Sequence, residues 1–195
     1  MLAQVRPAIV STVLFTLLLG VAYPLAVTGI GGLAFPTQAS GSLVRDASGA
    51  VVGSSLIAQG FEAPRYLHPR ASAAGKGYDA AGSSGSNLGP LNDDLIARET
   101  EGAAAYRAAT GQSVVPADAV TTSASGLDPD VSPANAALQV ARIAAARGVS
   151  VAQVEAVIAA NTQGRTLGFL GQPRVNVLEV NRSLDARLPV RQTVP

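Results

Sequence analysis

The sequence has no cysteine and a single histidine, His68. Without thiols there is no disulfide framework, no cysteine metal cage and no thiolate nucleophile. One histidine without clustered carboxylates cannot build a typical zinc site, so no metal site is expected. Charge is scarce too: Asp, Glu, Lys and Arg make up 14% of the chain, against about 25% in ordinary globular domains. Apolar content is a normal 48%, so part of it is left for lipid or for a contact surface. The net charge of +1 comes without any Lys/Arg block, which excludes the dense basic footprint of a nucleic-acid binder. At 195 residues the chain has room for one domain and an appendage.

The longest gap in charge runs from Arg6 to Arg45. Pro7–Phe35 (PAIVSTVLFTLLLGVAYPLAVTGIGGLAF) exceeds the roughly 20 helical residues that cross a bilayer core. A signal peptide would use Arg6 as its basic flank, but its apolar stretch would stop after about 7–15 residues and meet a small-x-small cleavage site. The sequence therefore predicts an uncleaved anchor, with a cytoplasmic tail and transmembrane helix in residues 1–35. Pro7 suits a first helical turn, and Pro24 should kink the helix or mark its last turn. Arg6 and the α-amino group lie on one flank and no cation lies on the other until Arg45. The positive-inside rule then places the amino terminus in the cytoplasm and residues 36–195 outside. Ala8, Thr12, Thr16, Gly20 and Pro24 recur at four-residue spacing. Such a stripe of small and weakly polar residues is either chance, since these residues are common in membrane helices, or a face for a partner helix carried by Thr12, Thr16 and Gly20.

The outer part reads as one mixed α+β domain. Ser42–Gln59 predicts a hairpin around Asp46-Ala-Ser-Gly. Residues 71–90 hold five Ala, five Gly and four Ser in 20 positions, a long loop of the kind that is either functional or disordered. Residues 90–111 predict a helix capped by Asn92 or Asp93 and ended by Gly111, with Leu91, Leu95, Ala103 and Tyr106 on one face. An extended run follows. Ser132-Pro133 starts a helix that ends at Gly148. Ser150 and Gln153 form a capping box for another, ended by Gly164. The last stretch holds a Gly-rich turn and then a strand at Val175 and Val177 or, preferred here, a helix on Leu178, Asn181, Leu184 and Leu188.

No catalytic context emerges. His68 and a serine could in principle serve an anchored extracytoplasmic hydrolase, but no GxSxG elbow is present. Gly75-Lys76 lacks both the earlier glycine and the following hydroxyl of a phosphate loop. The stretch around Ser83, Ser84, Ser86 and Asn87 could offer backbone N–H groups to an anion or dock a partner. Thr121, Thr122, Ser123, Ser125, Gly126 and Asp128 precede the Ser132 cap and are more than capping needs. They form either a structural helix start or an acceptor for an anion or a partner's carbonyls.

Several tracts in register carry a resemblance. RPAIVSTVLFTLLLGVAYPLAVTGIG, YLHPR, SSGSNLGP, TTSASGLDPDVSP, ARG (146–148) and GRTLGFLGQPRVNVLEVN are similar to the C subunit of Kdp-type potassium-transporting ATPases over about residues 6–185. Leu91–Ala119 carries none of it. The resemblance implies a single-span, non-catalytic subunit of a bacterial inner-membrane complex, needed for assembly and activity. Its partners would be a potassium-selective channel-like subunit, a P-type ATP-hydrolysing subunit and a small membrane peptide. It also implies a catalytic chaperone that raises the ATP affinity of the hydrolysing subunit, with the SASGLDP region compared to a nucleotide-recognition signature. ATP would then be a transient ligand rather than a tightly held cofactor. The topology read from the charges sets ATP on the opposite side of the membrane. It favours an outer cap on the potassium-selective subunit, with residues 71–90 and 120–132 as contact loops.

Overall fold

A computed structural model describes residues 2–190. It has two compact units, one running to Val52 and one beginning at Gly53.

The first unit is dominated by one helix, α1 (Val5–Ala34), long and apolar enough to cross a membrane and with none of its side chains buried in protein. Thirty residues at a rise of 1.5 Å span about 45 Å, more than the hydrocarbon core requires. Pro24 neither ends α1 nor follows a regular turn. The helix widens into a π turn over Leu18–Ala22, and the Tyr23 N–H bonds the Leu18 carbonyl five residues back. The proline ring crowds the carbonyl four residues earlier and offers no N–H, and the extra residue in the preceding turn relieves that conflict. A short helix α2 (Pro36–Ala39) follows. Strands β1 (Leu43–Arg45) and β2 (Val51–Ser54) then form the predicted hairpin. In its turn, Asp46 Oδ1 accepts from the Ser48 N–H at 2.8 Å, the Ser48 hydroxyl at 2.6 Å and the Ala50 N–H at 3.1 Å. The Ser48 hydroxyl, then these amides, lower the Asp46 pKa.

The second unit is mixed α and β. Its helices are α3 (Asp93–Thr110), α4 (Ala117–Val120), α5 (Pro133–Arg147), α6 (Val151–Ala160) and α7 (Val177–Arg187). Its sheet has the order β3-β5-β4, from Asp130–Val131, Arg174–Asn176 and Thr162–Gln163, all antiparallel, with Val131 and Thr162 flanking Val175. The core lies where α5, α6 and α7 meet this sheet: Ile143, Val154, Val175, Val180 and Leu184 are all fully buried. Leu67 joins them from the YLHPR segment.

The capping signals act as the sequence predicts. Asn92 caps α3 and Gly111 ends it in the left-handed conformation. Ser132 accepts from the Asn135 N–H to start α5. Ser150 and Gln153 form a reciprocal capping box on α6. Four details differ from expectation. Leu91 precedes α3 and is 90% exposed, because the helix starts at Asp93, whereas Leu95, Ala103 and Tyr106 lie on its half-buried side as expected. The run expected to be extended contains α4, a single turn closed by the Thr121 hydroxyl on the Ala117 carbonyl. α6 stops at Ala160 instead of Gly164, since Thr162 and Gln163 leave the helix to pair with β5. The last stretch is both alternatives in succession, a strand to Asn176 and a helix from Val177, with the Asn176 side chain capping the change at the Glu179 N–H.

Candidate functional site

The two loops singled out in the sequence lie against each other. Gly126 sits at φ +66°, and a Cβ there would press on the Ser84 carbonyl and approach the Ala74 amide to 2.7 Å. Only glycine admits this conformation and this approach together. The Ser72 hydroxyl donates to the Gly126 carbonyl at 2.7 Å, and the Ser83 hydroxyl donates to the Ser125 carbonyl at 2.9 Å. Ser72 Oγ also accepts from the Ala74 and Tyr78 amides, and the Tyr78 hydroxyl reaches back to the Arg70 carbonyl at 2.8 Å. Residues 71–90 are thus fastened along much of their length, with one 3-10 turn at Ala80–Gly82. Small residues let the two backbones approach this closely at Gly126, Ser84 and Ala74.

The hydroxyl cluster mostly bonds within its own turn. Ser125 Oγ accepts from the Leu127 N–H, Ser123 Oγ accepts from the Asp128 N–H, and the two hydroxyls lie 3.2 Å apart. Asp128 caps its own turn at the Asp130 N–H and takes a 2.8 Å ion pair from Arg70. Arg70 also donates to the Thr121 hydroxyl and the Thr122 carbonyl. Ser84 bonds the neighbouring Gly85 carbonyl, Ser86 is half-buried, and exposed Asn87 holds a left-handed backbone at φ +54°. Thr12, Thr16 and Gly20 lie along α1, exposed, with only the Thr16 methyl near the space a Gly20 Cβ would fill.

His68 belongs to a polar network that sequence reasoning missed. Its backbone N–H donates to Gln139 Oε1 at 2.9 Å, and Gln139 Nε2 returns a bond to the His68 carbonyl. Gln139 Nε2 also bonds Asn135 Oδ1, which the Tyr106 hydroxyl reaches at 3.1 Å. Asp118 closes the chain, accepting from the Ser132 N–H and hydroxyl and from Asn135 Nδ2. Arg142 Nη1 lies 3.1 Å from His68 Nε2. The Ala63 carbonyl lies 3.3 Å from the same nitrogen; the guanidinium can only donate and the carbonyl can only accept, so which contact Nε2 makes depends on the tautomer. Burial, then the Arg142 charge, lowers the His68 pKa. Burial, then Asp118, pushes the Tyr106 phenol up to about 12. His68, Tyr106, Asn135, Gln139 and Arg142, together with Phe61 and Tyr78, line a cleft of about 390 Å³ beside Gly102, Ala105 and Ala109 of α3.

Among the described contacts the His68 ring meets Arg142 Nη1 and the Ala63 carbonyl. Among the described residues no group of three or more His, Cys, Asp or Glu could hold a metal. A sequence signal for the network existed. Asn135, Gln139 and Arg142 recur at i, i+4 and i+7 on an alanine-rich helix, a polar stripe on the buried side of α5.

Four of the five residues of YLHPR (66–70) are held by named partners. The Tyr66 hydroxyl bonds Asp185 at 3.0 Å, Leu67 fills the core, and Arg70 pairs with Asp128. Both polar backbone groups of Leu67 are taken by Asn181, and both of His68 by Gln139. Arg147 has a fully buried side chain that donates to the Arg65 and Leu188 carbonyls and to Asp185, and it lies under the Tyr66 ring at 5.3 Å.

The family model for KdpC, the K+-transporting ATPase c chain, matches residues 5–186. The chain belongs to this family. It is 67% identical to the potassium-transporting ATPase KdpC subunit of Caulobacter sp. (strain K31) over 189 residues, 97% of this chain and 96% of that one. It is 59% identical to the subunit of Beijerinckia indica over 98% of both chains. Against that of Mycobacterium tuberculosis (strain CDC 1551 / Oshkosh) it is 51% identical, over 93% of this chain and 97% of the other. Within this C-chain fold, the tracts that carried the resemblance are the apolar helix, the clamped segment at 66–70, the two fastened loops, and the turn with the strand and helix beyond it.

Proposed function

We propose that this chain is the non-catalytic accessory subunit of a high-affinity, ATP-driven potassium uptake complex, required for its assembly and activity. α1 anchors it in the inner membrane with the amino terminus in the cytoplasm, and residues 36–195 form an extracytoplasmic domain. Its partners are the potassium-selective channel-like subunit, the P-type ATP-hydrolysing subunit and a small membrane peptide. Thr12, Thr16 and Gly20 offer a close-approach face to a neighbouring helix.

The observation that supports this reading is that the Gly126 and Ser125 carbonyls accept from Ser72 and Ser83 of the other loop, while the Ser123 and Ser125 hydroxyls bond within their own turn and Asp128 pairs with Arg70. That is the chemistry of a rigid cap rather than of an open phosphate cradle. Any rise in the ATP affinity of the hydrolysing subunit would then pass through subunit contacts, with no nucleotide on residues 121–128. Purification of the complex with and without this chain tests the proposal. Potassium-stimulated ATP hydrolysis is expected only with the chain present, and none from the chain alone. Full activity of a complex lacking it would contradict the reading.

A further inference from the structure

His68 Nε2 stands between a donor and an acceptor, Arg142 Nη1 at 3.1 Å and the Ala63 carbonyl at 3.3 Å. It can serve one of them at a time. Without a proton it accepts from the guanidinium, and with one it donates to the carbonyl. Arg142 Nη1 also donates to the Pro64 carbonyl at 2.6 Å, and Nη2 donates to Gln139 Oε1 at 2.6 Å. Arg142 Nε is shut off from solvent and has no partner among the described contacts. The guanidinium that ties residues 63–68 to α5 is thus held by one nitrogen on the ring and on Pro64 together.

Protonating the imidazole turns this meeting into a conflict. Both ring nitrogens then donate, so Nε2 sets N–H against N–H and charge against charge on Arg142. The Ala63 carbonyl is already within reach of the ring, so the arginine is the partner that moves. Because Nη1 makes both contacts, leaving the ring also takes it off Pro64. We infer that His68 and Arg142 form a proton-operated latch. With a neutral ring, Arg142 is held on His68 and Pro64. With a ring protonated from solvent, Nε2–H goes to Ala63 and Arg142 swings out of the wall of the cleft. The backbone clamps on Leu67 and His68 run through Asn181 and Gln139 rather than the ring, so the change stays local to the cleft that Phe61, Glu62, His68 and Arg142 line. Burial and then the Arg142 charge oppose protonation, whereas the Ala63 and Glu62 backbones and the Glu62 carboxylate favour it. Tyr106 of α3 and Tyr78 of the 71–90 loop face the same cleft, and burial before all else raises both phenols above their ordinary pKa, so they stay neutral. Burial lowers the Arg142 pKa, yet a guanidinium keeps its charge wherever histidine titrates.

His68 is the only histidine, so its ring nitrogens give unique signals in the full chain in detergent, labelled with nitrogen-15 at histidine and arginine. The pH is lowered from about 7.5 to about 4.5, across the range in which histidine titrates. The Arg142 Nε–H, assigned by its absence in Arg142→Lys, is expected to exchange slowly with water while the ring is neutral. After correction for the intrinsic rate, exchange should be about tenfold faster or more once the ring is protonated, with coincident midpoints. His68→Gln should keep the exchange slow over the whole range. A ring that protonates with Arg142 exchange unchanged would overturn the latch, as would a ring that stays neutral throughout. The same acceleration in His68→Gln would overturn it equally. Should His68→Gln fail to fold, Glu62→Gln at an exposed position replaces it. Removing that carboxylate should lower both midpoints together, and midpoints that part would contradict the proposal.

Discussion

Asn181 spends its whole carboxamide on Leu67: Oδ1 accepts from the Leu67 N–H at 2.7 Å and Nδ2 donates to the Leu67 carbonyl at 2.9 Å. Gln139 repeats the arrangement on His68. Two side-chain amides, one from α7 and one from α5, thus replace the backbone partners that a strand would have supplied. Pro69 has no N–H to continue a ladder, and the clamp satisfies a buried segment that could not join the sheet.

Removing one clamp strands both polar backbone groups in the interior. Asn181→Ala is expected to destabilise the chain by about 3 kcal/mol, from two lost hydrogen bonds and the desolvation of their partners. Asn181→Leu should be no better, because the groups left behind belong to the backbone. Denaturant unfolding of the detergent-solubilised chain measures this, and a loss below about 1 kcal/mol would mean that water re-satisfies Leu67.

Gly126→Ala tests the loop-to-loop contact. The substitution forces a Cβ against the Ser84 carbonyl and the Ala74 amide at a positive φ, so the loops must separate or distort. About 2–4 kcal/mol of destabilisation is expected, with faster amide exchange in residues 72–85. An unaltered exchange pattern would show that the loops do not depend on each other.

The His68 prediction concerns pH. Its folded-state pKa lies below the ordinary 6.5, by burial and then by Arg142. The unfolded chain therefore takes up the proton first, and stability falls as pH drops below 6.5 towards the lowered folded value. Above 6.5 the histidine contributes no slope. His68→Gln should flatten the unfolding curve in that window, whereas an unchanged slope would assign it to the carboxylates.

Thr12→Leu, Thr16→Leu and Gly20→Leu combined should weaken assembly through the α1 face. The measurement is recovery of intact complex from membranes, together with the level of the chain in the membrane. Full recovery would mean that α1 anchors without specific packing.

Local rules carried much of the fold. Asn92, Ser132, Ser150 with Gln153, Gly111 and Gly148 start or stop helices through bonds within one turn, and such bonds are legible in sequence. The π turn before Pro24 was only half legible: proline announces a conflict and does not say how the helix resolves it. The clamp of Leu67 and His68 was invisible because it joins residues more than seventy positions apart. The hydroxyl cluster shows the same limit. Its composition signalled that Ser123, Ser125 and Gly126 mattered, but whether they face a ligand or another loop depends on Ser72, Ser83 and Ser84, far away in sequence.

Sidedness tests the central claim, that the outer domain acts as a cap away from the nucleotide. Ser84→Cys and Ser125→Cys fall on exposed positions of the two fastened loops in a chain without native cysteine. A membrane-impermeant thiol reagent applied to intact cells with opened outer membranes should label both. Labelling only after the inner membrane is breached would contradict the account and bring the hydroxyl cluster to the side where ATP is.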